Sequence, residues 1–317
     1  MTLLAADNRA YLTAERNVRY VLGDPASPSL VLNAVDSYGC MWQADLPEGW
    51  AAASMTTPVD RKAYGDGGYA GDPTLEARVL TINGAVAAPT PEDLDAAYRR
   101  FMAVVQSRAG KIRYTHLDEI PAAMGLWCAP TGQPKWEAAD TRYAQWSFLL
   151  VAEDPIKTGA AVAYGPVRLP TVGGEGGYPM GTGGLGMVAP YTASDSTVAS
   201  TVAQVANPGD EDSHAIYTVT GPVPRPRIQL GNGYYVALNA DLAAGDAWVV
   251  DTAAGTSTVN GVNRYDAWAA GSVFPLIPGR DPLDPTSTGG VEVRLRSGSG
   301  GSDQTAGLTV LTAPSWR

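Results

Sequence analysis

"DAWVVDTAAGTSTVNGVNRY", residues Asp246–Tyr265, decides the fold class. Trp248, Val249 and Val250 are strand formers, and Ala253–Ala254–Gly255 is turn material. Ser257, Thr258 and Val259 begin a second strand, which Asn260–Gly261, a strong tight-turn dipeptide, brings to an end. Only the carboxylates of Asp246 and Asp251 could act as bases near neutrality here. Twenty residues spent this way shape a sheet, and the stretch is expected to be a hairpin inside a sandwich.

The same grammar runs through the chain. In 317 residues there are 36 Gly and 24 Pro, and only 17% of residues are charged. Many short strands and frequent turns produce that balance, as in sandwiches and barrels. Apolar residues make up 45%, enough to build a core. Beyond about residue 190 every segment reads as a strand, including "HAIYTVTG", "RIQLGNGYYVALN", "SVFPLIPG", "VEVRLRSGSG" and "GLTVLTAPSW". About eight strands suit a jelly roll or related sandwich. The Gly- and Pro-rich stretch 159–189 reads as a linker, dividing the chain into 1–158 and 190–317.

The first half mixes strands with one helix. "TLEARVLTINGAV" reads as a strand with Leu75, Ala77 and Val79 on one face, ended by an Asn83–Gly84 turn. "KIRYTHL" (111–117) and "YAQWSFLLVAEDP" (143–155) read as two more. "RKAYGDGGYAGDP" (61–73) reads as a loop. Thr90 is a good N-cap, Pro91 fits the first helical position, and Glu92 and Asp93 favour the positive helix end. Leu94, Tyr98, Phe101, Val104 and Val105 recur at helical spacing and Gly110 marks a stop, so a helix is expected over 91–108.

The net charge of −10 is shared evenly: residues 1–158 hold 19 acids and 14 bases, and 159–317 hold 13 and 8. No basic tail or stripe marks a nucleic-acid groove, which argues against sequence-specific nucleic-acid binding. No apolar run approaches the ~20 residues that span a bilayer, and the N-terminus lacks a signal-peptide pattern. Cys40 and Cys128 could pair, but a disulfide scaffold would use more cysteines, and they read as two buried, reduced thiols made in a cytoplasm.

Chemical motifs are sparse. "GTGGLG" (Gly181, Gly183, Gly186) matches the dinucleotide pattern, but Pro190 breaks any following helix and no βαβ context exists, so it reads as linker. His116, beside Asp118, and His214, after Glu211 and Asp212, do not make a zinc set with two distant cysteines. There is no nucleophile elbow, Walker loop or H-E-x-x-H. Asp241, Asp246, Asp251 and Asp266 are the carboxylates a glycan hydrolase would draw on, yet they sit in turns, where Asp serves the backbone. "GPVPRPRIQL", with Pro222, Pro224 and Pro226, reads as the approach to an edge strand, with a polyproline ligand as the alternative. Aromatic residues pack cores more often than they stack on sugars. No catalytic, cofactor or metal site is expected.

The order and character of several segments carry a resemblance over nearly the full length. They are "VLNAVDSYGCMWQADLPEGW", "YGDGGYAGDP" before "LEARVLTINGAV", "TPEDLDAAYRRFMAVV", "WEAADTRYAQWSFLLVAEDPIKTG", "VANPGDEDSHAIYTVTGPVPRPRIQLGNG", "LAAGDAWVVDTAAGTSTVNGVNR" and "GLTVLTAPSW". Together they resemble the distal tail proteins (Dit), or minor tail proteins, of long-tailed siphovirus-type bacteriophages, especially phages of actinobacteria. The resemblance implies a mainly β fold: an N-terminal β-sandwich with a helix, and a C-terminal galectin-like or jelly-roll sandwich. It implies a structural virion protein, not an enzyme, with no cofactor. It would be made in the host bacterial cytoplasm and placed at the tail tip. Six copies would close into a baseplate ring that meets the tail tube protein, the end of the tape measure protein and a tail-tip hub protein of the tail-associated lysin type. Tyr64 and Tyr69, in the Gly-rich loop, and free strand edges are the expected inter-subunit contacts. The alternative function is a carbohydrate-binding tail protein that attaches to the host wall.

Overall fold

The computed structural model describes residues 18–24, 27–62, 64, 66, 68–106, 111–117, 123–169, 202–284, 286–298 and 305–317. The chain divides into two compact units, Met1–Ala160 with Arg317, and Ala161–Trp316. Each is mainly β, and among the described residues the first carries the one α-helix.

In the first unit the strands are β1 (Tyr20–Asp24), β2 (Ser27–Leu32), β3 (Ala34–Val35), β4 (Met41–Ala44), β5 (Met55–Thr56), β6 (Val59–Arg61), β7 (Gly68–Ala70), β8 (Thr74–Leu75), β9 (Arg78–Ala87), β10 (Ile112–His116), β11 (Met124–Asp140), β12 (Tyr143–Ala152) and β13 (Lys157–Thr158). Eight of them form one antiparallel path, β2-β1-β10-β11-β12-β9-β4-β3. The long β11 joins its two parts: Met124 to Cys128 pair with β10, and Ala129 to Asp140 pair with β12. The pleat of β12 turns Ala144, Trp146, Phe148 and Leu150 inward, as the alternation of the sequence predicts. Helix α1 (Pro91–Val105) lays Leu94, Ala97, Phe101 and Val105 on that face. Phe101 lies 5.6 Å from Trp146, 5.7 Å from Phe148 and 5.4 Å from Trp136, ring centre to ring centre. Thr90 caps the helix as expected, its Oγ1 accepting the Asp93 N–H at 3.2 Å. The helix ends at Val105, three residues before the expected limit, and Gly110 lies outside the described residues.

One expectation fails instructively. Asn83–Gly84 is not a turn; β9 runs through it between β4 and β12. A Cβ on Gly84 would meet the Trp146 indole at 2.3 Å and the Gln43 carbonyl oxygen at 2.2 Å. Glycine is there because an aromatic ring lies on the strand. The buried face of β9 is consequently Arg78, Leu80 and Ile82, while Val79 is exposed.

The second unit is a two-sheet sandwich. Its strands are β14 (Val162–Arg168), β15 (Val202–Val205), β16 (Ala215–Thr220), β17 (Arg227–Leu230), β18 (Tyr235–Ala237), β19 (Ala247–Asp251), β20 (Thr256–Val259), β21 (Val262–Asn263), β22 (Val291–Arg296) and β23 (Gly307–Thr312). One sheet has the order β14-β23-β16-β19-β20-β21 and the other β15-β22-β17-β18. Val167, Tyr217, Val219, Trp248 and Val250 from the first meet Ile228, Leu230, Val236, Val293 and Leu295 from the second in one core. Asp246–Tyr265 is the expected hairpin, with Asn260 and Gly261 both at positive φ, 51° and 79°. Trp248 is fully buried and its indole N–H donates to Ser257 Oγ across the hairpin at 2.9 Å.

Three readings need correction. Within 159–189, Val162–Arg168 is a strand on β23 and not linker; "GTGGLG" lies outside the described residues. "SVFPLIPG" forms no strand beyond one bridge from Ile277 to Ser213, since Pro275 and Pro278 supply no N–H to a ladder. "GPVPRPRIQL" leads into β17, which lies between β22 and β18 and is not an edge. Its prolines precede the strand, and Val223 and Pro226 are buried, which leaves no exposed polyproline ligand.

Candidate interaction site

The Gly-rich stretch 61–73, whose composition predicts a loop, belongs to a nested ribbon over residues 55–75. Met55 pairs with Leu75 and Thr56 with Thr74; further out, Val59 pairs with Ala70, Asp60 with Tyr69 and Arg61 with Gly68. The Gly71 N–H donates to Pro58 O at 2.7 Å and the Glu76 N–H to Ser54 O at 2.9 Å, tying the rungs together. Gly68 is required at its rung, because a Cβ there would meet Val59 Cγ1 at 2.5 Å. Backbone hydrogen bonds tie the described rungs of this ribbon together. Met55, Val59 and Tyr69 are 60%, 66% and 68% exposed, and Tyr64 at the outer end is 94% exposed. Lys62 Nζ lies 5.6 Å from the Tyr69 ring centre. A two-stranded ribbon is marginal in water by itself. This one presents apolar and aromatic side chains that stay exposed among the described residues.

The outward face of β4, β9, β12 and β11 forms a polar groove of about 510 Å³. Gln43, Asp45, Asn83, Lys135, Glu137, Gln145 and Ser147 line it. These are the odd-numbered partners of the inward aromatic residues, so groove and core come from the same pleat.

The residues weighed for chemistry serve the fold. His116 is buried, stacked on Trp50 at 3.7 Å with its Nε2 3.0 Å from Tyr114 Oη. His214 lies on Thr252, Nδ1 to Oγ1 3.3 Å. Asp241 accepts the Arg225 N–H, and Asp251 accepts those of Ala253 and Ala254 in the hairpin turn. Asp246 accepts Asn260 Nδ2–H and the Ala243 N–H, and those bonds hold its carboxyl below the usual range. Asp266 pairs with Arg264 at 3.4 Å. Among the described residues no three of His, Cys, Asp and Glu gather in a way that would hold a metal. Both cysteines are free and buried. Burial pushes the Cys128 thiol up to about 12, against the pull of neighbouring Arg78. Cys40 is raised by burial and by Asp36. No described helix is long and apolar enough to cross a membrane.

Two units built on antiparallel sheets, the first bearing a helix and the second a two-sheet sandwich, make a fold found in a solved phage protein. The solved structure of SPP1 Dit, described as a paradigm of the hub adsorption apparatus in phages infecting Gram-positive bacteria, has this fold with a TM-score of 0.58 at 12% identity. The match covers 94% of this chain and 99% of that one. The baseplate of phage P2 in its activated conformation with Ca gives a TM-score of 0.49 at 9% identity, over 94% and 98% of the two chains. No family model and no curated protein sequence matches.

Proposed function

We propose that this chain is a structural distal tail protein whose copies close into a ring through the 55–75 ribbon. The observation that carries this reading is the ribbon itself. It exposes Tyr64 and Tyr69 on a two-stranded element that lacks a core, and a neighbouring copy would supply one. A surface that differs from the one it contacts gives a head-to-tail interface, and such interfaces close when the rotation per copy divides a turn. Six copies, the tube above and the hub below are the expectation that the resemblance supplies, and the likeness of fold to SPP1 Dit supports the same role. The location follows: the distal end of the tail, in the virion. The acid excess of the chain would let DNA pass a ring of this protein without sticking. The work assigned to the chain is mechanical connection, with no catalytic step.

The test is electron microscopy of the purified chain mixed with tail tubes of the same phage. Rings capping tube ends support the reading. Bare tube ends at saturating protein contradict it.

A further inference from the structure

Arginine is unevenly placed in the second unit. On the sheet β15-β22-β17-β18, Ala203, Val205, Ile228, Leu230, Val293 and Leu295 point into the core. The pleat therefore presents Gln204, Arg227, Gln229, Tyr235, Glu292, Arg294 and Arg296 on the opposite face. Arg296 stands directly opposite Arg227, and Arg294 opposite Gln229, which in turn faces Tyr235. Arg294 and Arg296 are two residues apart on one strand, hence about 7 Å. Like charges directly opposite across a strand pair destabilise a sheet.

Among the described residues of these four strands the face holds one carboxylate, Glu292, and it is already engaged: Arg294 Nη2 donates to it at 2.6 Å and Gln204 Nε2 at 3.0 Å. Arg227 is stacked 3.8 Å from the Tyr235 ring centre, and its buried Nε has no hydrogen-bond partner among the described residues. Arg296 is exposed and forms no ion pair among the described residues. Three guanidinium groups thus share one carboxylate in a chain whose net charge is −10.

We propose that this sheet face binds a polyol phosphate chain, a flexible polymer that alternates phosphodiesters with hydroxyl-bearing units. Guanidinium groups grip phosphate oxygens with paired N–H donors, and the row from Arg227 through Arg296 to Arg294 offers them at successive positions. Gln204 and Gln229 beside them supply amide donors and acceptors for polyol hydroxyls. The face is an open sheet, so affinity comes from repeated weak contacts along a thin flexible chain. A rigid duplex is disfavoured because it would also meet the acidic remainder of the surface. This inference stands apart from the ring reading: it concerns the second unit and holds for one copy or for six.

The test is calorimetric titration of the full chain with a synthetic glycerol phosphate oligomer, with neutral dextran and a DNA duplex in parallel. The expected result is saturable binding of the oligomer that weakens as salt rises, with none for dextran and little for DNA. Arg294→Ala with Arg296→Ala should weaken it about 100-fold, roughly tenfold per charge-assisted contact, with no fall in the melting temperature, since the repulsion between Arg296 and Arg227 is relieved. Arg264→Ala with Arg280→Ala removes the same charge elsewhere and should leave binding intact. Absence of binding at low salt, equal loss in both double variants, or equal affinity for DNA would overturn the proposal.

Discussion

Gly84→Ala tests the packing of the first unit at its tightest point. The added methyl would sit 2.2 Å from the Gln43 carbonyl oxygen and 2.3 and 2.6 Å from two Trp146 ring atoms. Neither neighbour has room to retreat. The Gln43 carbonyl belongs to β4, paired with β9 across four rungs, and the Trp146 ring centre lies 6.2 Å from Trp42, 5.6 Å from Phe101 and 5.7 Å from Phe148. Overpacking of this kind costs about 1–3 kcal/mol. Replacing glycine returns about 0.4–1 kcal/mol through the unfolded chain. With two collisions the upper end of the range applies, for a net loss of about 2 kcal/mol. In a unit of this size that lowers the melting temperature by roughly 4–8 °C. Scanning calorimetry of the full chain reads it, with Gly231→Ala as control, where the new Cβ would stand 3.4 Å from Glu292 Cβ. A Gly84→Ala protein within about 0.5 kcal/mol of the parent, the ordinary range for surface substitutions, would refute the reasoning.

Other perturbations have equally direct readings. Ser257→Ala strands the buried Trp248 N–H and should cost about 1–3 kcal/mol in urea unfolding; Val219, which has no such bond, is not a substitute test. Asp36→Ala removes the acceptor of the Tyr38 and Cys40 N–H groups, the Trp42 indole N–H at 2.9 Å and the Arg100 guanidinium at 2.9 Å; loop 36–40 should loosen from the helix, with a loss of about 3 kcal/mol or more on the same assay. The Cys128 thiol, held up to about 12 against an ordinary 9.0, stays protonated in the fold while the unfolded chain ionises. Its contribution is full below pH 9 and is lost as pH rises from 9 toward 12, by about 1.4 kcal/mol per pH unit. In a Cys40→Ser background, a thiol reagent should therefore leave the folded protein unmodified at pH 8 and label it on denaturation.

Much of the fold was legible because its signals are local. Asn260–Gly261 closes a hairpin by its own backbone preference, and Thr90 with Pro91 starts a helix by capping geometry. The same kind of dipeptide at Asn83–Gly84 misleads, because the reason for the glycine is a tryptophan from a strand some sixty residues away. The long strand β11 was hidden by Pro130, Gly132 and Pro134, which look like loop until its two partner strands are seen. The ribbon escaped notice as structure because its rungs carry no apolar alternation, although its tyrosines stood out. The arginine face was invisible in sequence: no basic run exists, and only the register of β17 against β22 brings Arg227 opposite Arg296.

The central claim is that the ribbon joins copies of this chain, and native mass spectrometry with images of the same sample tests it most directly. The account predicts a closed ring of six 33.1 kDa chains, and its collapse to single chains when Tyr64→Ala and Tyr69→Ala are combined, each buried tyrosine being worth about 2 kcal/mol per interface. A ring that survives the double substitution would contradict the ribbon's role. A parent protein that stays a single chain, even with tail tubes added, would contradict the assembly itself.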